Sequence, residues 1–388
     1  MDIRFFKSNL NLIVTNFFDL GLRLFISFLI PIFLSTILYG EYAYIIKVIT
    51  FFQILNLGAL SGYSKFIAEN KYNQLSSKFV LNLFLSTSFF ILIGFFLSVV
   101  ILEIEVKYFY IMLFGLILIN LQSIEWTYYK SKDYRFMFLS RKIIINIYLL
   151  LLMVFFYKTT LSETILFLII IVPLLLSIKF IVVNANINFR INHFISYLKK
   201  CIIKGRAIYL NAILFSFLSS FDFIIAKKWM NEIDFPSYAL GIAITSILLL
   251  VQIQVINNFQ KDIYTNNKKS INTIIKFSFL LYIGFIIAFF VFFYFEINLI
   301  IFQEYIFDFD LLIKCLTRGL CVAIFQLVGL FVANIEKLRI QYYILSLSIP
   351  LIFIITYLNN FLSIELLYIL SLLIYSTAVF KQYNYERL

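Results

Sequence analysis

Long apolar runs, each followed by a short polar interruption, succeed one another along the chain. About 20 apolar residues cross roughly 30 Å of hydrocarbon as an α-helix. A window of that length places spans near 9–36, 42–62, 79–102, 108–126, 143–157, 164–183, 207–226, 238–256, 273–295, 312–333, 340–358 and 361–380. The pattern predicts about 12 transmembrane helices and an all-α fold. The run at 143–157 is short for a bilayer and is expected to draw on its flanks, whereas 9–36 is long enough to tilt. One long polar interruption, about 184–206, splits the windows into two sets of six. The predicted organisation is an N-terminal six-helix lobe over 1–186, a cytoplasmic linker over 187–205 and a C-terminal six-helix lobe over 206–388. Within the linker, Phe194 to Lys200 has the makings of a basic amphipathic helix on the membrane surface.

Composition agrees with the periodicity. Of 388 residues, 63% are hydrophobic and 13% charged, whereas a soluble domain carries about a quarter charged residues. The start of the chain runs into a window too long for a secretory signal, so a retained first helix is expected. Cys201, Cys315 and Cys321 have no metal-ligand spacing, and neither a metal nor a cofactor is expected. The formal net charge of +12 would suggest nucleic acid in a soluble protein. Here its distribution argues for orientation instead. With the N-terminus inside, most of the 32 Lys and Arg residues collect in the inner connections. Examples are Lys65, Lys71 and Lys78, the group Lys130, Lys132, Arg135, Arg141 and Lys142, and the linker. The outer connections hold only Lys107, Lys158, Lys227 and Lys228, and carry acids such as Glu103, Glu105, Glu304, Asp308 and Asp310. This alternation is the positive-inside pattern, with anionic membrane lipids as partners of the inner face. It predicts a multi-pass protein with both termini cytoplasmic, and no nucleic-acid partner.

Charges inside the windows are the candidate chemistry, because an ionised group in hydrocarbon is costly and marks a functional position by default. Asp19 and Arg23 are four residues apart in the first window and share a face. Lys47 lies in the second window, and Lys314 and Arg318, again four apart, lie in the tenth. Arg presents a planar fork to phosphate oxygens and Lys a compact charge, so Arg23, Lys47, Arg318 and Lys314 are candidate contacts for an anionic substrate. The bland alternatives are an Asp19–Arg23 pair within one helix, and a Lys314 side chain that snorkels to the interface. Asp19, Asp222 and Glu125 are candidate ion-coupling or gating acids, since a carboxylate shielded from water can take up a proton. Asp222 sits close in sequence to Lys227 and Lys228, which would make it half of a structural ion pair. Glu125, beside Trp126, doubles as an interfacial anchor. Amides within the windows, among them Asn120, Asn211 and Gln252, serve either interhelical hydrogen bonds or sugar hydroxyls.

Tyr42-Ala43 opens the second window and Tyr238-Ala239 the eighth, an echo at equivalent points of a six-plus-six array. Internal repeats of this kind build alternating-access transporters. The run from Ile37 to Ala43, with Leu57-Gly58-Ala59 and Lys65-Phe66-Ile67-Ala68-Glu69, resembles the opening of Wzx-type polysaccharide flippases. These belong to the multidrug, oligosaccharidyl-lipid and polysaccharide exporter superfamily. Phe221-Asp222-Phe223-Ile224-Ile225 followed by Tyr238-Ala239 is similar to the start of that family's second lobe. The resemblance implies two six-helix lobes around a central, cationic cavity. It implies a transporter, not an enzyme, that flips an undecaprenyl-diphosphate-linked oligosaccharide from the cytoplasmic to the outer leaflet of a bacterial inner membrane. Such a protein is expected to serve O-antigen or capsule polysaccharide biosynthesis beside glycosyltransferases and a polysaccharide polymerase. Two rival classes stay open: a cation-coupled multidrug and toxin extrusion antiporter that uses Asp19, and a membrane glycosyltransferase or polymerase that uses Glu304, Asp308 and Asp310.

Overall fold

The computed structural model describes residues 18, 20–56, 77–101, 108–131, 135–155, 162–177, 199, 202–203, 209–258, 268–329 and 340–387. Every regular element among them is helical. Seven helices are long and apolar enough to cross a membrane: Thr36–Leu55, Tyr209–Trp229, Asp234–Ile253, Ile271–Tyr294, Phe309–Gly329, Ile340–Asn359 and Ile364–Gln382. Shorter apolar helices stand at Leu20–Phe33, Leu83–Phe96, Phe109–Ile124, Ile143–Phe155 and Thr164–Leu176. The described residues are those of an all-helical membrane protein. The linker at 187–205 lies almost wholly outside the described residues, as do Asp19, His193 and Cys201.

The chain groups into two compact units, one of Met1–Leu34 with Leu55–Ile203, the other of Ser35–Ile54 with Lys204–Leu388. The second unit thus begins near the expected end of the linker, but it also takes in a helix from the N-terminal part of the sequence. The first unit contains α1 (Leu20–Phe33), α3 (Ser77–Ile101), α4 (Phe109–Ser131), α5 (Arg135–Phe155) and α6 (Ser162–Ser177). The second contains α2 (Thr36–Phe52), α7 (Tyr209–Trp229), α8 (Asp234–Asn258), α9 (Lys268–Tyr294), α10 (Phe309–Gly329), α11 (Ile340–Asn359) and α12 (Ile364–Arg387).

Local chemistry explains the boundaries. α2 begins at Thr36, six residues before the second apolar window, and the Ser35 hydroxyl caps it by accepting from the Leu38 amide at 3.4 Å. Tyr39, Gly40 and Glu41, expected in a connection because they dilute the hydropathy, are therefore helical. The short window at 143–157 does draw on a flank, since α5 begins at Arg135. Between α7 and α8, the Asn231 side-chain Oδ1 accepts from the amides of Ile233 and Asp234 at 3.1 and 2.7 Å, an Asx turn that starts α8. Asp308 does the same for α10 through the Leu311 amide at 2.7 Å. Asn360 closes α11 in the left-handed region at φ 47°, which an asparagine tolerates.

Packing within the second unit depends on small residues. A Cβ on Gly319 of α10 would lie 2.6 Å from the Thr245 Cβ of α8, so the two backbones approach as closely as they do because Gly319 has no side chain. The opposite situation holds at the periphery. Phe279, Leu280, Ile287 and Phe290 of α9 are exposed, as a lipid-facing surface of a spanning helix should be. In the first unit, Asn120 of α4 donates to Thr87 and Ser88 of α3, both at 2.9 Å.

Candidate functional site

The polar core of the second unit is built on a distortion of α7. Residues Phe217–Phe221 form a π turn, which inserts a residue into the helical pattern and leaves carbonyl oxygens open to other donors. Three helices send side chains to them. The Tyr368 hydroxyl of α12 donates to the Leu218 carbonyl at 2.6 Å. The Lys47 ammonium of α2 donates to the Ser219 carbonyl at 3.0 Å, and Nη2 of Arg318 on α10 donates to the same oxygen at 2.7 Å.

Asp222 follows the π turn directly and is fully buried, as is Arg318. Arg318 Nε donates to Asp222 Oδ2 at 2.8 Å, and Nη2 reaches Oδ1 at 3.4 Å. The Tyr238 hydroxyl of α8 donates to Asp222 Oδ2 at 2.8 Å. Below these groups lies the Phe223 ring, with Lys47 Nζ 5.0 Å and Arg318 Cζ 5.8 Å from its centre. Aromatic faces at such distances stabilise cations. With all three groups ionised the cluster holds two positive charges and one negative. Asp222 is engaged by Arg318, so the excess falls on Lys47, which donates to a neutral carbonyl and has no carboxylate within ion-pair distance among the described residues.

The sequence-derived candidates divide accordingly. Lys47, Asp222 and Arg318 converge on this one cluster. Asp222 does not pair with Lys227 or Lys228: Lys227 bonds Glu41 of α2 at 2.7 Å, and Lys228 sits over the Tyr357 ring at 4.2 Å. Residues five and six positions apart on a helix point away from one another, so neighbours in sequence could not serve. Lys314 turns to Asp310 on its own helix at an exposed end, although it is one turn from Arg318. Arg23 is half-buried on α1 of the first unit. Asp19 and the side chain of Glu125 fall outside the described residues.

The window amides act as links between helices. Gln252 donates to the Ala323 carbonyl at 3.0 Å and accepts from Tyr282 at 2.9 Å. Asn211 accepts from Tyr342 and Tyr375 at 2.7 and 2.8 Å. Outside the spans, Tyr305 packs edge-on to Tyr39 at 5.9 Å. Burial, with Glu304 beside it, pushes the Tyr305 phenol above its ordinary range, so it stays protonated. The groups sequence reasoning missed are the Ser219 carbonyl and the Tyr238 and Tyr368 hydroxyls. The aromatic pair carried one signal, since Tyr238 opens the repeated Tyr-Ala phrase. Comparison with protein-family models, with curated proteins and with solved structures yields no match to this chain.

Proposed function

We propose that this protein is a lipid-linked oligosaccharide flippase, moving an undecaprenyl-diphosphate-linked unit from the cytoplasmic to the outer leaflet of a bacterial inner membrane. The observation that carries the reading is Lys47. It is an amine inside an apolar helical unit whose contacts among the described residues are a carbonyl and a ring face, and it therefore keeps donors for an anionic group such as a diphosphate. Arg318 adds to the positive potential while its own hydrogen bonds are taken up by Asp222 and Ser219. A cation-coupled antiporter would need a deep carboxylate free to exchange protons or sodium; Asp222 is committed to Arg318 and Tyr238, which leaves that role to Asp19, outside the described residues.

The reading includes twelve spans in two six-helix lobes, cytoplasmic termini, alternating access, and work beside glycosyltransferases and a polymerase for O-antigen or capsule. Its supports are the apolar windows, the Lys and Arg alternation between connections, and the resemblance of the segments around Gly40 and Asp222 to Wzx-type flippases. The test is deletion of the gene in its host, with lipid-linked oligosaccharide measured on each face of the inner membrane. Completed units should accumulate on the cytoplasmic face, be cleared by the wild-type gene, and persist with Lys47→Gln at normal membrane abundance. Normal glycan with new drug sensitivity would point to an antiporter, and a glycan truncated at one linkage to a transferase or polymerase.

A further inference from the structure

We propose that Asp222, Arg318 and Tyr238 are positioning residues, which brace the π turn of α7 so that the Ser219 carbonyl fixes the Lys47 ammonium in place. The inference rests on the reading that Lys47 is the cation that meets the substrate anion. It changes the part assigned to Arg318, from a substrate contact to a group acting through another.

Three observations carry it. First, Ser219 O is shared: Arg318 Nη2 lies 2.7 Å from it and Lys47 Nζ 3.0 Å. One oxygen that accepts from two cations sits where a π turn has displaced it, and Arg318 ties that oxygen to Asp222 on the next turn of the same helix. The guanidinium therefore staples the distorted turn across its own axis. Second, Arg318 is committed to the protein through two of its three nitrogens and is sealed in the interior. Its Nε and Nη2 face Asp222 and Ser219, its side chain is 2% exposed, and its Cζ lies 5.8 Å from the centre of the Phe223 ring and 5.9 Å from that of Tyr368. Third, Tyr238 from α8 and Tyr368 from α12 hold the two ends of the same distortion, through Asp222 Oδ2 at 2.8 Å and the Leu218 carbonyl at 2.6 Å. Lys47 contrasts with all of these. Its four-carbon stem is flexible, and among the described residues a single acceptor, the Ser219 carbonyl, holds its amine.

The experiment uses the full chain labelled with 15N-lysine in lipid nanodiscs, with the Lys47 side-chain resonance assigned by its loss in Lys47→Arg. Tyr238→Phe removes one hydroxyl and keeps the ring. Asp222→Asn keeps the shape and removes the charge that Arg318 neutralises. Both are expected to shift the Lys47 resonance and to lower glycan export about tenfold at normal abundance, the size of one lost hydrogen bond to a charged group. Tyr282→Phe, which removes a buried hydroxyl bonded to Gln252 elsewhere in the unit, should leave the resonance in place. If Asp222→Asn does not assemble, Tyr238→Phe decides alone. An unmoved resonance in Tyr238→Phe overturns the inference, whatever happens to export. Normal export by Lys47→Gln overturns the functional reading instead, and the resonance still reports whether these residues hold the amine.

Discussion

Replacing Asp222 by leucine should be among the most damaging single changes in the second unit. Asp222 is fully buried and accepts from Arg318 Nε at 2.8 Å, Arg318 Nη2 at 3.4 Å and Tyr238 at 2.8 Å. Without it the Ser219 carbonyl is the acceptor left to the Arg318 guanidinium among the described residues, inside a protein interior that cannot solvate it. Breaking a buried pair from one side costs about 3–5 kcal/mol. Arg318→Met leaves a buried carboxylate with Tyr238 alone and should cost a similar amount. The double variant Asp222→Leu with Arg318→Met removes both charges together, and apolar replacement of a whole buried pair is often close to neutral. The double variant is therefore expected to be more stable than either single variant, with a coupling of at least about 2 kcal/mol. Reversible unfolding in mixed micelles with increasing SDS, followed by tryptophan fluorescence, measures all four corners of the cycle. Costs that simply add, or an Asp222→Leu cost below about 1 kcal/mol, would refute the claim that the two charges are held by each other.

Three further outcomes follow from the packing and the polar links. Gly241→Ala should destabilise the α8–α10 contact by about 1–3 kcal/mol, because its new Cβ collides with the Cys315 sulfur, and Cys315→Ala in the same chain should restore most of the loss in the same unfolding assay. Glu41→Lys and Lys227→Glu should each weaken the packing of α2 by up to about 1 kcal/mol, with the exchanged pair recovering it. Disulfide trapping between cysteines introduced in α2 and α7 checks that order. Gln252→Leu should cost about 1 kcal/mol, since the Ala323 carbonyl and the Tyr282 hydroxyl lose their partner, and export should be unchanged.

The sequence made the helical character of the chain plain, because a window of apolar residues is a property of neighbours. It also singled out Lys47, Asp222 and Arg318 as candidates, since each is a charge inside such a window. It could not say which charge meets which. Lys47 reaches a carbonyl 172 positions away, and Arg318 a carboxylate 96 positions away. Proximity in sequence suggested Lys227 or Lys228 for Asp222 and set Lys314 beside Arg318. Helical geometry turns the first two away from Asp222, and an exposed helix end draws Lys314 to Asp310. The π turn left no trace in Phe-Leu-Ser-Ser-Phe. A backbone oxygen has no residue identity of its own, so the acceptor shared by both cations was invisible. Glu41 was misplaced for a different reason: hydropathy fell across Tyr39-Gly40-Glu41, while the Ser35 cap had already committed the segment to helix.

The membership of α2 in the second unit has a consequence for how the protein is made. Lys47 leaves the ribosome long before α7 exists, and Glu41 waits 186 residues for Lys227. At about 5–20 residues per second, Ser219 follows Lys47 by roughly 10 to 35 s. Throughout that interval α2 enters the bilayer with a cation whose eventual acceptor has not been synthesised. Either the helix lingers at the insertion machinery or its ammonium borrows lipid phosphate, and its final docking is a late, long-range event. Mutations that speed or stall translation between α2 and α7 should therefore change the yield of assembled protein without touching a single native contact.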